Sequence, residues 1–174
     1  FLYFLGFFIL LLCLRVDPWL ALVGALAYGL SSYFLIIIEA GHNSKANALG
    51  YLPALLGGVV LLFSGRLWLG LSVTTFFTAM ELNANHVQIS YYGYILIGFI
   101  ILGYAVTAFR EKQLSGFGKA LLFFIIATIL GILPNAGMAF INQRHPLGRV
   151  SFINVVTDAM RTVTGFDLNS RIVD

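Results

Sequence analysis

The sequence has very little charge for its length. Only 10% of its 174 residues are charged, and its mean hydropathy is +0.94, whereas a soluble domain carries about a quarter charged residues. So few charged side chains cannot cover a surface in water. This excludes a soluble globular domain and predicts a single domain in a lipid bilayer. The net charge of +3 is small and dispersed, which argues against nucleic acid as a partner.

Cysteine and proline are also scarce. The one cysteine, Cys13, makes no intramolecular disulfide and no cysteine-based metal site, so we interpret it as a packing residue. The four prolines lie near the ends of apolar runs, and Pro53 is predicted to lie in the first turns of a helix, where a missing N–H costs little. The chain opens inside an apolar run without the features of a signal peptide, so we expect an internal piece of a longer protein.

Six apolar runs predict the fold. A membrane-spanning helix needs about 17–25 residues, and several runs reach that length only with their polar flanks. Glycines within the runs predict close helix packing. The sequence therefore predicts an all-α polytopic transmembrane helix bundle of about six spans, occupying residues 1–135. The six runs are 1–14, 19–38, 48–63, 67–80, 91–109 and 120–133.

The connections between the runs differ in charge. One side of the predicted bundle has five basic residues, and the other has only Lys45. Short cytoplasmic loops carry the excess of Lys and Arg, so we expect connections 39–47 and 81–90 to face outward. The basic residues of the other side are Arg15, Arg66, Arg110, Lys112 and Lys119.

The C-terminal segment, residues 136–174, has a different composition. It carries four arginines and three aspartates and is too polar to span a membrane. Apolar residues at helical spacing within 150–163 predict a short amphipathic helix. We therefore expect an outer-face polar tail.

The two outward connections carry the same unusual mixture of side chains: one carboxylate, one histidine and several carboxamides each. Glu39 and His42 are three residues apart and would share a face if the second span extended by one turn. Glu81, Asn85 and Gln88 have the spacing of one helix face, and the fourth span either continues as a helix through Asn85 or breaks within LNANHV. Glu81 follows an apolar run without a turn signal, and an ionisable residue near membrane depth is a candidate functional residue.

Several kinds of chemistry are open to these residues. A carboxylate and a histidine can act together as a general base. Two histidines and two carboxylates can hold a divalent cation, although no His pair has metal-ligand spacing along the chain. Carboxamides with Lys45 can bind a sugar or a phosphate. Ordinary solvation and interhelical hydrogen bonding remain alternatives for each residue taken singly.

Two motifs resemble a known family. The stretches IIIEAGHNSKANALGYLPALLGGVVLLF and MELNANHVQISYYGYIL are similar to those of the YfhO-like bacterial membrane proteins, in the form common among Bacteroidetes. The resemblance covers roughly residues 16–135. It implies a GT-C-like glycosyltransferase in the bacterial inner membrane, with outward loops in the periplasm, a polyprenyl-phosphate sugar as donor, and cell-envelope glycosylation as function.

The resemblance also implies the residues that line an outer cavity where donor and acceptor meet: Glu39, His42, Asn43, Lys45, Asn85, His86 and Gln88. With Glu81 added because it lies near membrane depth, we assign catalysis to Glu39, His42, Glu81 and His86, and substrate binding to Asn43, Lys45, Asn85 and Gln88. No metal ligands are assigned, and a divalent cation is a further candidate.

The catalytic carboxylate usual in GT-C enzymes lies in an outer loop after the first span, which this chain lacks. A non-catalytic subunit packed in a larger membrane complex is therefore the alternative function. A carrier or flippase has less support, because no charged residue lies in the middle of a span.

Overall fold

The computed structural model describes the backbone of residues 1–142 and the side chains of residues 1–135. These residues form helices and no strands, which confirms the predicted all-α bundle. The predicted amphipathic helix at 150–163 lies outside the described residues. The helices are α1 (Leu2–Cys13), α2 (Pro18–Gly29), α3 (Ser32–Glu39), α4 (Asn43–Phe63), α5 (Leu67–Asn83), α6 (Val87–Arg110) and α7 (Leu114–Asn142).

All six predicted runs are helical, but the second is not one straight span. It divides into α2 and α3, which meet at an angle of 42°. The break lies between Gly29 and Ser32, and glycine–serine sequences are common places for a helix to kink. By length and composition, three described helices can cross a membrane: α4, α6 and residues 114–135 of α7. The bent pair gives a fourth, and α1 and α5 are shorter.

Contacts between side chains define the direction of each helix. Gly58 packs against Thr74, and Gly70 packs against Leu62, so α4 and α5 are antiparallel. Helices α4 and α6 are parallel, because Leu52 contacts Gly93 and, further along both helices, Phe63 stacks on Tyr104.

The remaining helices also alternate in direction along the chain. Phe4 packs against Gly29 and Leu11 against Gly24, so α1 and α2 are antiparallel. Helix α7 runs parallel to α5, since Trp68 contacts Phe123 and Thr78 contacts Gly131. The connections around residues 41 and 85 therefore lie at one end of the bundle, and those around 15, 65 and 111 lie at the other.

Helix α4 forms the centre of the bundle. Its membrane-length window is 67% buried, whereas the windows of α6 and α7 are each 17% buried. Leu55 and Val59 of α4 are almost fully buried and form the core with Ile97 of α6. The large apolar side chains that remain exposed on α6 and α7 suit a lipid environment, as in a membrane protein.

Five helix reversals share one backbone device. Each contains a single residue with positive φ, which turns the chain after the helix ends. In four of them the N–H of this residue and the N–H of the following residue bond back to carbonyls of the last helical turn. An example is Gly65 N to Leu62 O at 3.2 Å, with Arg66 N to Leu61 O at 3.0 Å. The five residues are Arg15 (φ 60°), Gly41 (74°), Gly65 (89°), Asn85 (52°) and Lys112 (55°).

Candidate functional site

The two polar turns lie at the same end of the bundle and have the same order of C-cap, positive-φ and N-cap residues, but only the first has the second backbone bond of the reversal, from His42 N to Ile37 O. In the first, Ala40 is the C-cap of α3, Gly41 has positive φ and His42 is the N-cap residue of α4. In the second, Ala84 is the C-cap of α5, Asn85 has positive φ, and His86 is the N-cap residue of α6. Glycine and asparagine are the residues that best tolerate this conformation. The sequences AGHN and ANHV therefore both reverse the chain through a positive-φ residue followed by a histidine.

Both turns are shorter than the predicted connections 39–47 and 81–90. Glu39 is the last residue of α3, and α4 begins at Asn43. Glu39 and His42 consequently do not share a helix face, because the second span does not extend by the extra turn that this would need. Of the two alternatives for the fourth span, the structure has the break within LNANHV, since α5 ends at Asn83 and Asn85 leaves the helical conformation. Glu81, Asn85 and Gln88 therefore do not share a helix face.

Most of the predicted site residues are exposed. Lys45 is half-buried, and its Nζ lies 5.5 Å from the centre of the Tyr33 ring, which is a cation–π contact. The ammonium group is thereby held beside α3. The exposed predicted residues are Glu39, His42, Asn43, Asn85 and Gln88.

Glu81 differs from these residues because it is fully buried, with 0% of its surface exposed. The Ser90 hydroxyl donates a hydrogen bond to Glu81 Oε1 at 3.2 Å, while Glu81 Oε2 has no hydrogen-bond partner. The pairing of α4 with α5 places Glu81 level with Tyr51, about two helical turns from Asn43. Glu81 therefore lies inside the bundle and not on the exposed surface that carries Glu39.

His86 is less exposed than Glu39 and less buried than Glu81. Its side chain is half-buried, and its Nδ1 is buried without a hydrogen-bond partner. The Ser90 hydroxyl, which binds Glu81, also lies 3.4 Å from the His86 carbonyl. Among the described side chains, no hydrogen bond joins the first polar turn to the second.

The sequence analysis missed a group of hydroxyls next to Glu81. Thr74 and Thr78 are almost fully buried, and their hydroxyl oxygens lack hydrogen-bond partners. The signal was present, since Thr74, Thr78 and Glu81 occupy positions i, i+4 and i+7, which form one helix face.

A groove of about 420 Å³ lies between α5 and α7. Its lining contains none of the predicted site residues, so it is separate from the polar turns. Nor do any three His, Cys, Asp or Glu side chains within the described part of the chain come together to hold a metal ion. The residues that line the groove are Leu71, Ser72, Thr75, Phe76, Ala79, Leu130 and Pro134.

No protein-family model, curated protein or solved structure matches this chain. Evidence about function therefore comes from the geometry of the two turns and from the motifs themselves. The turns place two histidines, one exposed carboxylate and several carboxamides at one end of a membrane helix bundle.

Proposed function

We propose that the chain is part of a GT-C-like membrane glycosyltransferase, which transfers sugar from a polyprenyl-phosphate donor to a cell-envelope acceptor at the outer face. One observation carries the proposal: the AGHN and ANHV turns lie at the same end of the bundle, and each places a histidine at the N-cap position of the following helix. The similarity of these motifs to YfhO-like proteins gives further support.

The proposed reaction needs a base and a group that stabilises the leaving phosphate. The acceptor oxygen attacks the anomeric carbon of the donor, and the bond from that carbon to the phosphate oxygen breaks. A histidine of the turns, or Glu39, takes the acceptor proton. Lys45 and Asn43 stabilise the charge on the departing lipid phosphate. Lys45 would leave the Tyr33 ring to make that contact.

Glu81 has no direct part in this proposal. Its carboxyl is fully buried and bonded to Ser90, so an acceptor hydroxyl at the exposed surface does not reach it without a rearrangement of the helices. The proposed surface therefore consists of Glu39, His42, Asn43, Lys45, Asn85, His86 and Gln88.

The test is sugar transfer by the full chain in liposomes that contain a polyprenyl-phosphate donor with a labelled sugar. Loss of a general base lowers rates by about 10²–10⁴-fold, so one of Glu39→Gln, His42→Ala and His86→Ala should reduce transfer to that extent. Glu111→Gln is the matched control, because Glu111 is an exposed carboxylate at the opposite end of the bundle. Transfer equal to the wild type in all three of these variants would reject the proposal.

A non-catalytic membrane subunit is the second candidate. It is favoured by Gly98 and Gly103 of α6, which are exposed and have no described atom within 4 Å of an added Cβ. Small residues allow close approach of another membrane helix. This candidate predicts that Gly98→Leu reduces the size of the complex extracted from native membranes, while the chain itself stays folded.

A further inference from the structure

Hydroxyl groups on the described helices behave in two ways. Ser72, Thr107 and Thr128 each donate to the carbonyl four residues earlier, at distances from 2.9 to 3.1 Å. This is the usual way in which a helix satisfies such a group. Thr74 and Thr78 make no such bond, although both are almost fully buried. Their oxygens are left without a partner inside the bundle, where that is costly.

The unpaired oxygen of Glu81 lies on the same helix face. Thr78 is three residues before Glu81, so the two side chains are neighbours on α5. Ser90 approaches from α6, and its hydroxyl is 3.2 Å from Glu81 Oε1. Three oxygen-bearing side chains from two helices, Thr78, Glu81 and Ser90, therefore lie together inside the bundle.

The charge at this position is not balanced by the protein. No ion pair involving Glu81 is present among the described residues, and one of its oxygens has no hydrogen-bond partner. A buried carboxylate that has no opposite charge beside it is strongly disfavoured. One bound positive charge would balance it, whereas a divalent ion would leave an excess charge in the bundle.

We propose that Glu81, Thr78 and Ser90 bind one monovalent metal cation of about the size of Na⁺ between α5 and α6. The donors are all oxygen atoms, which suit hard cations. The site contains one carboxylate and therefore matches an ion of single charge. It is distinct from the proposed transfer surface and does not depend on it.

The position of the site gives the ion a structural effect. It joins the end of α5 to the start of α6, on either side of the turn that contains Asn85 and His86. Ligand binding to the folded state alone stabilises that state. The ion is therefore expected to hold the second polar turn in place.

The experiment measures thermal unfolding of the full chain in detergent micelles, with NaCl exchanged for choline chloride at constant ionic strength. Each tenfold rise in Na⁺ above its dissociation constant should raise the unfolding midpoint by roughly 3–5 °C. Glu81→Gln should remove this dependence, because glutamine keeps the shape and loses the charge. Glu39→Gln is the matched control and should retain it.

A second variant and a direct measurement keep the test decisive if Glu81→Gln fails to fold. Thr78→Val preserves shape and removes one oxygen, so a higher Na⁺ concentration should be needed for the same shift. Binding of radioactive Na⁺ to the wild type should saturate at about one ion per chain. A midpoint that responds to pH and not to Na⁺ would show that a proton neutralises Glu81, and the proposal would be wrong. The same conclusion follows if Glu81→Gln keeps the Na⁺ dependence.

Discussion

The hydroxyl of Tyr28 donates a hydrogen bond to the backbone carbonyl of Leu49, 3.3 Å away. That carbonyl is the one which Pro53 leaves without its helical donor, because proline has no N–H to give to the residue four positions earlier. The sequence predicts Pro53 in the first turns of its helix, but α4 begins at Asn43, so the proline is interior. A side chain from α2 therefore repairs a gap in the central helix.

This relationship predicts a specific coupling between two substitutions. Tyr28→Phe should destabilise the bundle by about 1 kcal/mol, because a buried carbonyl loses its partner. With Pro53→Ala in place, the backbone N–H restored at position 53 bonds the Leu49 carbonyl, and Tyr28→Phe should then cost much less. The measurement is a double-mutant cycle on thermal unfolding of the full chain in detergent.

The aromatic neighbours of Tyr28 provide the control for that cycle. Its ring stacks on Phe7 with centroids 4.4 Å apart, and phenylalanine preserves this stacking. Tyr28→Phe therefore tests the hydroxyl alone. Additive effects of Tyr28→Phe and Pro53→Ala would contradict the proposed repair.

Close packing between α4 and α5 gives a second prediction. A Cβ at Gly58 would lie 2.7 Å from Thr74 Oγ1 and 2.8 Å from the Thr74 backbone nitrogen. The backbone cannot move aside locally, so Gly58→Ala should destabilise the bundle by about 1–3 kcal/mol. Gly103→Ala is the matched control, since a Cβ there meets nothing within 4 Å. It should be neutral or stabilising by up to about 1 kcal/mol, because alanine favours helix.

The measurement for both glycine variants is the midpoint of chemical or thermal unfolding in the same detergent. If Gly103→Ala lowered the unfolding midpoint as much as Gly58→Ala does, the helices would be sensitive to alanine in general. In that case the close approach of α4 and α5 would not be the cause.

The helix reversals give a third prediction. Lys112 has φ 55° and lies in an exposed turn, a conformation that costs a residue with a Cβ roughly 1 kcal/mol. Lys112→Gly should therefore stabilise the chain by up to about 1 kcal/mol, and Gly65→Ala should destabilise it by a similar amount. Lys119→Gly within α7 is the control and should destabilise, because glycine weakens a helix. The measurement is the unfolding midpoint of each of the three variants. A Gly65→Ala variant that is more stable than the wild type would show that positive φ does not determine the stability of these turns.

Hydropathy predicted the six helical runs, because long apolar stretches between short polar segments leave the backbone few other choices in lipid. It misplaced the start of α4 by five residues, since NSKAN is polar and yet helical. It also missed the break between α2 and α3. Gly29 and two serines gave the signal there, but small residues occur in many unbroken membrane helices.

The candidate site could be predicted only in part. Gly41 signals the first reversal, and the similar position of Asn85 in ANHV signals the second, because asparagine also accepts positive φ. The sequence placed Glu81 near membrane depth, but its complete burial could not be predicted in this way. It depends on α6 folding back to bring Ser90 to the carboxyl, and that contact belongs to the tertiary structure. The sequence pattern alone grouped Glu81 with residues that are exposed.

Asn135 gives the last prediction. Its Nδ2 donates to the Ala79 carbonyl at 2.9 Å and lies 3.4 Å from the Gly131 carbonyl, so one amide group joins α5 to α7. Asn135→Leu removes the donor, and should cost about 1 kcal/mol. Asn135→Asp should cost more, because an ionised carboxylate would face two carbonyl oxygens in a half-buried position. The expected order of unfolding midpoints in detergent at neutral pH is therefore wild type, Asn135→Leu, Asn135→Asp. Asn47→Asp, at an exposed position of α4, is the control and should change the midpoint little. An Asn135→Asp variant as stable as the wild type would show that the amide does not join the two helices.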